Sequence, residues 1–331
     1  MRKALVVGID HYSNSPLHGC VNDAKRMISV LESNGDGSPN FEVRSLISGE
    51  TEVSSCILHE AIEELFSGNA ETALLFFAGH GIVNEKTNAG YIVSQNGCKG
   101  SWGISLSEIL HLANEAYPRV KSTVIILDSC QSGYAGEISG IGSDGQVSFI
   151  GNGVTILTAC HRKGTADEQN GHGIFTELLI DGLNGAAADI CGRITPAAIY
   201  SHVDQTLGAW DQRPIYKANV HTFVVLRRVE PKVPLEVLRR LPEYFSHPTV
   251  LCKLDPSFEP DRGEEAEKLK DIPVNAENVR RYRELQMCNR YGLVVPVDQP
   301  HMWHAAVHST GCKLTALGVH YRMLAEMKRI K

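Results

Sequence analysis

The chain has 331 residues, 43% of them apolar and 21% charged, with a formal net charge of −6 at pH 7. These values are ordinary for a globular protein, and the length suits an α/β domain with an appendage. No apolar run approaches the roughly 20 residues that cross a bilayer, so no membrane span is expected. Nine scattered cysteines, none in a Cys-x-x-Cys pair, fit free thiols in a reducing cytoplasm better than a disulfide framework or a zinc site.

In chain order, the basic start and short apolar stretch of residues 1–10 run straight into Asp10 and His11. They read as a first strand over 3–10 rather than a signal peptide. A turn through Asn14, Ser15 and Pro16 leads to Gly19-Cys-Val-Asn-Asp-Ala24, which opens a helix with Met27, Ile28, Val30 and Leu31 on its apolar side. Asn22 or Asp23 is a candidate N-cap, and Asp23 could equally point into a cleft. A strand over 41–47 and an amphipathic helix over 54–66 follow. The run Ala73-Leu-Leu-Phe-Phe-Ala-Gly-His-Gly81 is a third strand, ending in a histidine between two glycines. That histidine has little side-chain packing to explain it, which points to a functional role.

Residues 82–104 read as a loop with a short hairpin near 90–95, and 106–117 as a helix. Thr123-Val-Ile-Ile-Leu127 is a fourth strand, a continuous apolar run of the kind covered on both faces of a parallel sheet. It delivers Cys130 just past its carboxyl end, where open α/β sheets place ligands and catalytic groups. The Gly- and Ser-rich stretch 131–152 lacks periodicity and begins at that cysteine. Loops of this length are commonly functional. A fifth strand is expected over 154–159, a polar loop with Arg162 and Lys163 over 160–173, helices over 174–183 and 196–207, and a sixth strand over 220–226. Such alternation argues for a doubly wound, mostly parallel sheet with helices on both faces.

Pro231, Pro234 and Pro242 mark a boundary. The reading is a first domain over 1–228, an irregular linker over 229–274, and a small α+β domain over 275–331 whose helix, short strands and helix suggest a winged helix. Residues 1–227 carry 15 Lys/Arg against 24 Asp/Glu, and residues 270–331 carry 10 against 5. A basic tail on an acidic body suggests either its own partner or a solvated face. His301, His304 and His308 lack a carboxylate or cysteine at ligand spacing and read as surface residues, so no metal is assigned.

Cysteine attacks as the thiolate, and a neighbouring imidazole takes its proton and lowers the thiol pKa. Backbone N–H groups must meet the oxyanion that forms, and those of Gly81 and Cys130 are the natural candidates. Leu5-Val-Val-Gly-Ile-Asp10, Gly19-Cys-Val-Asn-Asp-Ala24, Phe76-Phe-Ala-Gly-His-Gly81, Leu127-Asp-Ser-Cys-Gln-Ser-Gly133 and Gly173-Ile-Phe-Thr176 occur in this order over roughly residues 1–227. Together they resemble the caspase-like cysteine peptidases (family C14), within them the metacaspase and bacterial caspase-homologue branch. The fifty-residue separation of His80 and Cys130 matches caspase spacing. The resemblance implies a caspase-hemoglobinase fold, with His80 as general base and Cys130 as nucleophile for peptide-bond cleavage.

It also implies an acidic primary pocket. Asp128 and Asp23 occupy the positions where animal caspases carry the Gln and Arg that select Asp. A desolvated carboxylate pair repels acids and binds Arg or Lys, so cleavage after Arg or Lys is expected. Gln131 departs from the histidine usual in metacaspases. Residues 131–161 hold no Lys or Arg, so self-cleavage there is not expected, and Arg162 and Lys163 remain as processing sites. No cofactor is expected, and the carboxylate cluster behind the Ca²⁺ dependence of some metacaspases cannot be placed. The partners expected are a protein substrate and, through the tail, an activating protein or nucleic acid. The competing reading is a catalytically silent caspase-fold interaction protein.

Overall fold

The computed structural model describes residues 1–84, 86–87, 89–129, 137–138, 147–148, 150–159, 168–169, 172–207 and 213–331. The chain divides into two units, one of Met1–Ala188 and Arg193–Val229, the other of Asp189–Gly192 and Glu230–Lys331. The first runs β1 (Arg2–Gly8), α1 (Cys20–Glu32), β2 (Glu42–Ile47), α2 (Ser55–Phe66), β3 (Ala70–Ala78), β4 (Gly81–Asn84), β5 (Ala89–Cys98), β6 (Ser101–Ser105), α3 (Leu106–Ala116) and β7 (Val120–Asp128). It continues with β8 (Glu137–Ile138), β9 (Val147–Ser148), β10 (Val154–Thr158), β11 (Glu168–Gln169), β12 (His172–Gly173), α4 (Ile174–Asp181), β13 (Arg193–Ile194), α5 (Pro196–Leu207), β14 (Ile215–Asn219) and β15 (Arg227–Arg228).

Six strands form the main sheet in the order β14-β10-β7-β3-β1-β2. All pairings are parallel except that of β14 with β10. The central strands β3 and β7 are buried at every position but the second. Their side chains alternate between two cores. Leu75, Phe77, Ile125 and Leu127 pack with Leu58 and Ile62 of α2 and Ile109 and Leu110 of α3. Leu74, Phe76, Val124 and Ile126 pack on the other side with Met27 and Leu31 of α1 and Leu179 of α4. Each such side chain stabilises the fold by about 1.5–3 kcal/mol. This is the doubly wound, mostly parallel sheet that the caspase-like reading requires.

Along the pairing of β3 with β7, partners differ by fifty in number throughout, from Thr72 opposite Ser122 to Ala78 opposite Asp128. The strand register itself therefore sets the spacing of residues 80 and 130.

Three expectations are corrected. The sixth strand is β14 rather than residues 220–226. Directly after Pro214 the chain pairs antiparallel with β10, while Leu226 is fully buried outside the main sheet, its N–H donating to the Ile194 carbonyl at 2.8 Å. Residues 82–104 are no loop with a small hairpin but the antiparallel sheet β4-β5-β6, made irregular by a register shift between Val93 and Cys98. The segment 229–274 is not a free linker. Val237, Leu238, Leu241, Phe245, Leu254 and Phe258 are buried in the core of the second unit with Tyr282 and Leu285.

The second unit runs α6 (Leu235–Arg239), α7 (Leu241–Tyr244), β16 (Cys252–Lys253), α8 (Ala276–Arg290), β17 (Val294–Pro296), α9 (Met302–Val307), β18 (Gly311–Leu314) and α10 (Ala316–Glu326). Its sheet has the order β16-β18-β17. Asn275 caps α8 by accepting from the N–H groups of Glu277 and Asn278. Glu284, on the buried side of α8, accepts from Arg240 at 2.9 and 2.7 Å, from Arg280 at 2.9 Å, and from the Tyr244 hydroxyl. Burial alone would raise its carboxyl pKa. The bonds from Arg240 and Tyr244 and the charges of Arg240 and Arg280 outweigh that and hold it below the ordinary value.

A carboxyl lowered on folding contributes stability above its unfolded pKa and loses it as pH falls through the folded one. Glu284→Gln is expected to destabilise the second unit at pH 7 by on the order of 3 kcal/mol. The deficit should shrink as the pH falls below the ordinary carboxylate range. Urea unfolding of the full chain at pH 7 and at a pH below the ordinary carboxylate range checks this, and an equal deficit at both contradicts it.

Candidate active site

The site is assembled at the carboxyl ends of β1, β3 and β7. Just past β1, the Asp10 carboxylate accepts from the N–H groups of Cys20 and Val21, at 2.9 and 3.3 Å. These are donors that the first turn of α1 cannot satisfy itself, and the negative charge suits the helix N-terminus. The capping expectation for Asn22 or Asp23 is thereby corrected. The N-cap position is Gly19, without a side-chain bond, and the carboxylate arrives from β1 instead. Ser48 Oγ accepts from the N–H groups of Asp10 and His11 and fixes the loop.

Asp23 is released from capping and turned inward, only 2% exposed. Its Oδ2 accepts from the N–H of Gly173 at 2.8 Å. Asp128, the last residue of β7, is 6% exposed and accepts from the Thr176 hydroxyl at 2.6 Å. A Cβ on Gly173 would come within 2.5 Å of Asp128 Oδ2 and 3.1 Å of Asp23 Oδ2. Both predicted pocket residues therefore meet at the opening turn of α4, although 105 positions separate them in the chain.

His80 lies two residues beyond β3 and is half exposed. Its backbone N–H donates to the Tyr12 hydroxyl at 3.0 Å, and that hydroxyl donates to the carbonyl of Val93 at 3.0 Å. Val93 N–H in turn donates to the His80 carbonyl at 2.9 Å. The Tyr12 ring lies 4.5 Å from the imidazole. Burial pushes the Tyr12 hydroxyl well above its ordinary pKa, so it stays a neutral donor. His80 Nε2 lies 2.7 Å from the carbonyl oxygen of Ser15. A carbonyl only accepts, so Nε2 is the donor in this contact, which leaves Nδ1 as the nitrogen available to take a proton.

Gly81 opens β4 opposite Ile92. Cys130, Gln131, Arg162 and Lys163 lie outside the described residues. The described chain nevertheless reaches Asp128 and Ser129, with the N–H of Gly79 donating to the carbonyl of Asp128 at 3.3 Å. Sequence reasoning missed Tyr12, the Ser15 carbonyl and the capping role of Asp10. Thr176 was part of a quoted motif but had no role. Among the described residues no group of three or more His, Cys, Asp or Glu is arranged to hold a metal ion. That includes His301, His304 and His308, whose rings follow one another at 5.7 and 5.8 Å.

A model of the caspase domain matches residues 1–225. The chain belongs to the caspase domain family of peptidases. One solved structure agrees on the fold at low identity, and a second is similar. The crystal structure of protein GSU0716 from Geobacter sulfurreducens aligns with a TM-score of 0.51 and 15% identity, covering 69% of this chain and 97% of that one. Caspase-1 from Spodoptera frugiperda aligns with a TM-score of 0.49 and 13% identity, covering 69% of this chain and 90% of that one. No curated protein matches the chain. Membership of this family supports a protease function in general. No helix among the described residues is long and apolar enough to cross a membrane.

Proposed function

We propose that this caspase-domain protein is a cysteine endopeptidase, of the metacaspase-like kind, that cleaves protein substrates after Arg or Lys. The observation that carries the specificity is the meeting of two buried carboxylates, Asp23 and Asp128, around Gly173. A cationic side chain compensates such a pair, whereas an acidic one would be repelled.

In the proposed reaction His80 Nδ1 takes the thiol proton of Cys130, and the thiolate sulfur bonds to the scissile carbonyl carbon. The oxyanion is met by the N–H groups of Gly81 and Cys130. Collapse breaks the C–N bond, and the leaving amine takes the proton from Nδ1. Water, deprotonated at the same nitrogen, then hydrolyses the thioester. The Ser15 carbonyl supports each step by holding Nε2–H and stabilising the imidazolium. No cofactor takes part, and Arg162 and Lys163 are the first basic residues after Cys130 at which a self-cut could fall. We place the enzyme in the cytoplasm, in a regulated bacterial pathway such as defence or cell death.

Fluorogenic peptides ending in Arg, Lys, Asp or Leu test this with wild type and Cys130→Ala. Turnover of the Arg and Lys peptides by wild type alone is expected. Equal turnover by both proteins removes the peptidase, and preference for Asp removes the acidic pocket.

A second reading concerns the C-terminal unit, for which we propose a docking role, through a winged-helix-like module, toward an activating protein or a nucleic acid. It carries a groove of about 560 Å³ lined in part by Val274, Val279, Met287 and Arg283. Nucleic-acid binding that falls steeply with salt supports that partner class, and salt-insensitive capture of a protein argues against it.

Tyr12→Phe probes the support of His80. It leaves the His80 N–H and the Val93 carbonyl without their buried partner, which costs about 1–3 kcal/mol. A fall in Tm of several degrees is expected, with a lower kcat and little change in KM. Unchanged kcat with the lower Tm would confine Tyr12 to stability.

A further inference from the structure

The motif Gly173-Ile-Phe-Thr176, a mark of the family resemblance, has a physical role in the structure. Its first residue donates a backbone N–H to Asp23 Oδ2 at 2.8 Å, and its last donates a hydroxyl to Asp128 Oδ2 at 2.6 Å. Gly173 and Thr176 are themselves buried, Thr176 completely. The donors stand three residues apart at the N-terminus of α4, on one face of its first turn. One carboxylate reaches them from α1 and the other from the end of β7, two elements brought together only by the fold.

Two carboxylates packed this closely are costly to bury. A joint between α1, β7 and α4 that served packing alone would be made more cheaply from apolar side chains, as the neighbouring Phe175, Leu179 and Met27 show. Neither of these two donors is cationic, and each fixes the direction of its carboxylate. The opening turn of α4 adds the partial positive charge of a helix end, which attracts carboxylate oxygens. Gly173 is needed because any larger residue would place Cβ 2.5 Å from Asp128 Oδ2.

We propose that Gly173 and Thr176 are specificity-positioning residues, a clamp that holds the Asp23–Asp128 pair oriented toward a basic substrate side chain. This inference rests on the Arg/Lys reading of the site. The motif thereby becomes the third wall of the specificity pocket, after the two segments that carry the acids.

Steady-state kinetics on Arg- and Lys-ended peptides with wild type, Thr176→Val, Thr176→Ser and Gly173→Ala decide it. Valine keeps the shape of threonine and removes the hydroxyl. For Thr176→Val, KM is expected to rise about 10-fold or more, with kcat changed much less, because a hydrogen bond to a charged acceptor is lost. Thr176→Ser restores the hydroxyl and should return KM to near the wild-type value. Gly173→Ala, with its methyl group forced against both carboxylates, should raise KM in the same direction and supplies the reading if the valine variant does not fold. A wild type that turns over Arg and Lys peptides, with KM unmoved in Thr176→Val and Gly173→Ala, overturns the clamp alone. KM values raised equally in the valine and serine variants also overturn it, since packing rather than the hydroxyl would then matter. A wild type without Cys130-dependent turnover of Arg or Lys peptides overturns the parent reading and the clamp with it.

Discussion

Replacement of His80 by alanine is expected to lower kcat on an Arg-ended peptide about 10²–10⁴-fold, the range for a lost general base. The imidazole is half exposed and lies past the end of β3, so the fold should survive and Tm should change little. What remains in the variant is a cysteine without the base that takes its proton. Added imidazole should restore part of the rate, because the cavity and the Ser15 carbonyl that held Nε2–H persist. KM for the Arg peptide should stay near the wild-type value, since Asp23 and Asp128 are anchored by α4 and not by His80. Wild-type kcat in His80→Ala, measured beside Cys130→Ala as background, would contradict the assignment of the base.

The separation of fifty between positions 80 and 130 follows the sheet. Two buried strands in adjacent parallel register carry the same number offset along their whole length, from Ala70 opposite Val120 to Ala78 opposite Asp128. A histidine and a cysteine each two residues past such strands keep that offset. Continuous apolar runs reveal parallel central strands directly. The edge strand β14 did not show this way. Ile215-Tyr-Lys-Ala-Asn219 is partly exposed along its length, while of the more apolar run after it only Leu226 is buried, and Val220 and Phe223 are exposed.

Asp23 was ambiguous for a local reason. An aspartate in a first helical turn has a statistical preference for capping, and only the arrival of Asp10 from β1 frees it for another role. Tyr12 and Ser15 were invisible for a different reason. They act through one hydroxyl and one main-chain carbonyl across about 65 residues of chain, and no composition or periodicity encodes a backbone acceptor. In the second unit, β18 was hidden because Gly311-Cys-Lys-Leu314 adjoins α10 and its apolar spacing merges with the helical one, until Thr315 caps the helix by accepting from Gly318 N–H.

The second large effect is expected at Gly8, the last residue of β1. A Cβ there would lie 2.6 Å from Ala24 Cβ and 2.6 Å from the Cys20 carbonyl oxygen. Neither is the end of a flexible side chain, so α1 itself must move for Gly8→Ala to fit. Overpacking of this kind costs about 1–3 kcal/mol, and the first unit's Tm should fall by roughly 2–12 °C. The consequence for the site is more specific than the loss of stability. Cys20 and Ala24, the residues that must yield, flank Asp23 on α1, and the Asp10 carboxylate ties the start of that helix to β1. Displacing α1 therefore displaces one carboxylate of the pocket and leaves Asp128 and His80, which stand on β7 and beyond β3, in place. KM for Arg peptides should rise several-fold more than kcat falls. Ala24→Gly in the same chain removes one of the two clashes and should recover part of both Tm and KM, while the contact with the Cys20 carbonyl keeps the recovery incomplete. A Gly8→Ala protein with lowered Tm but wild-type KM would show that Asp23 does not need α1 seated this closely to hold a basic side chain.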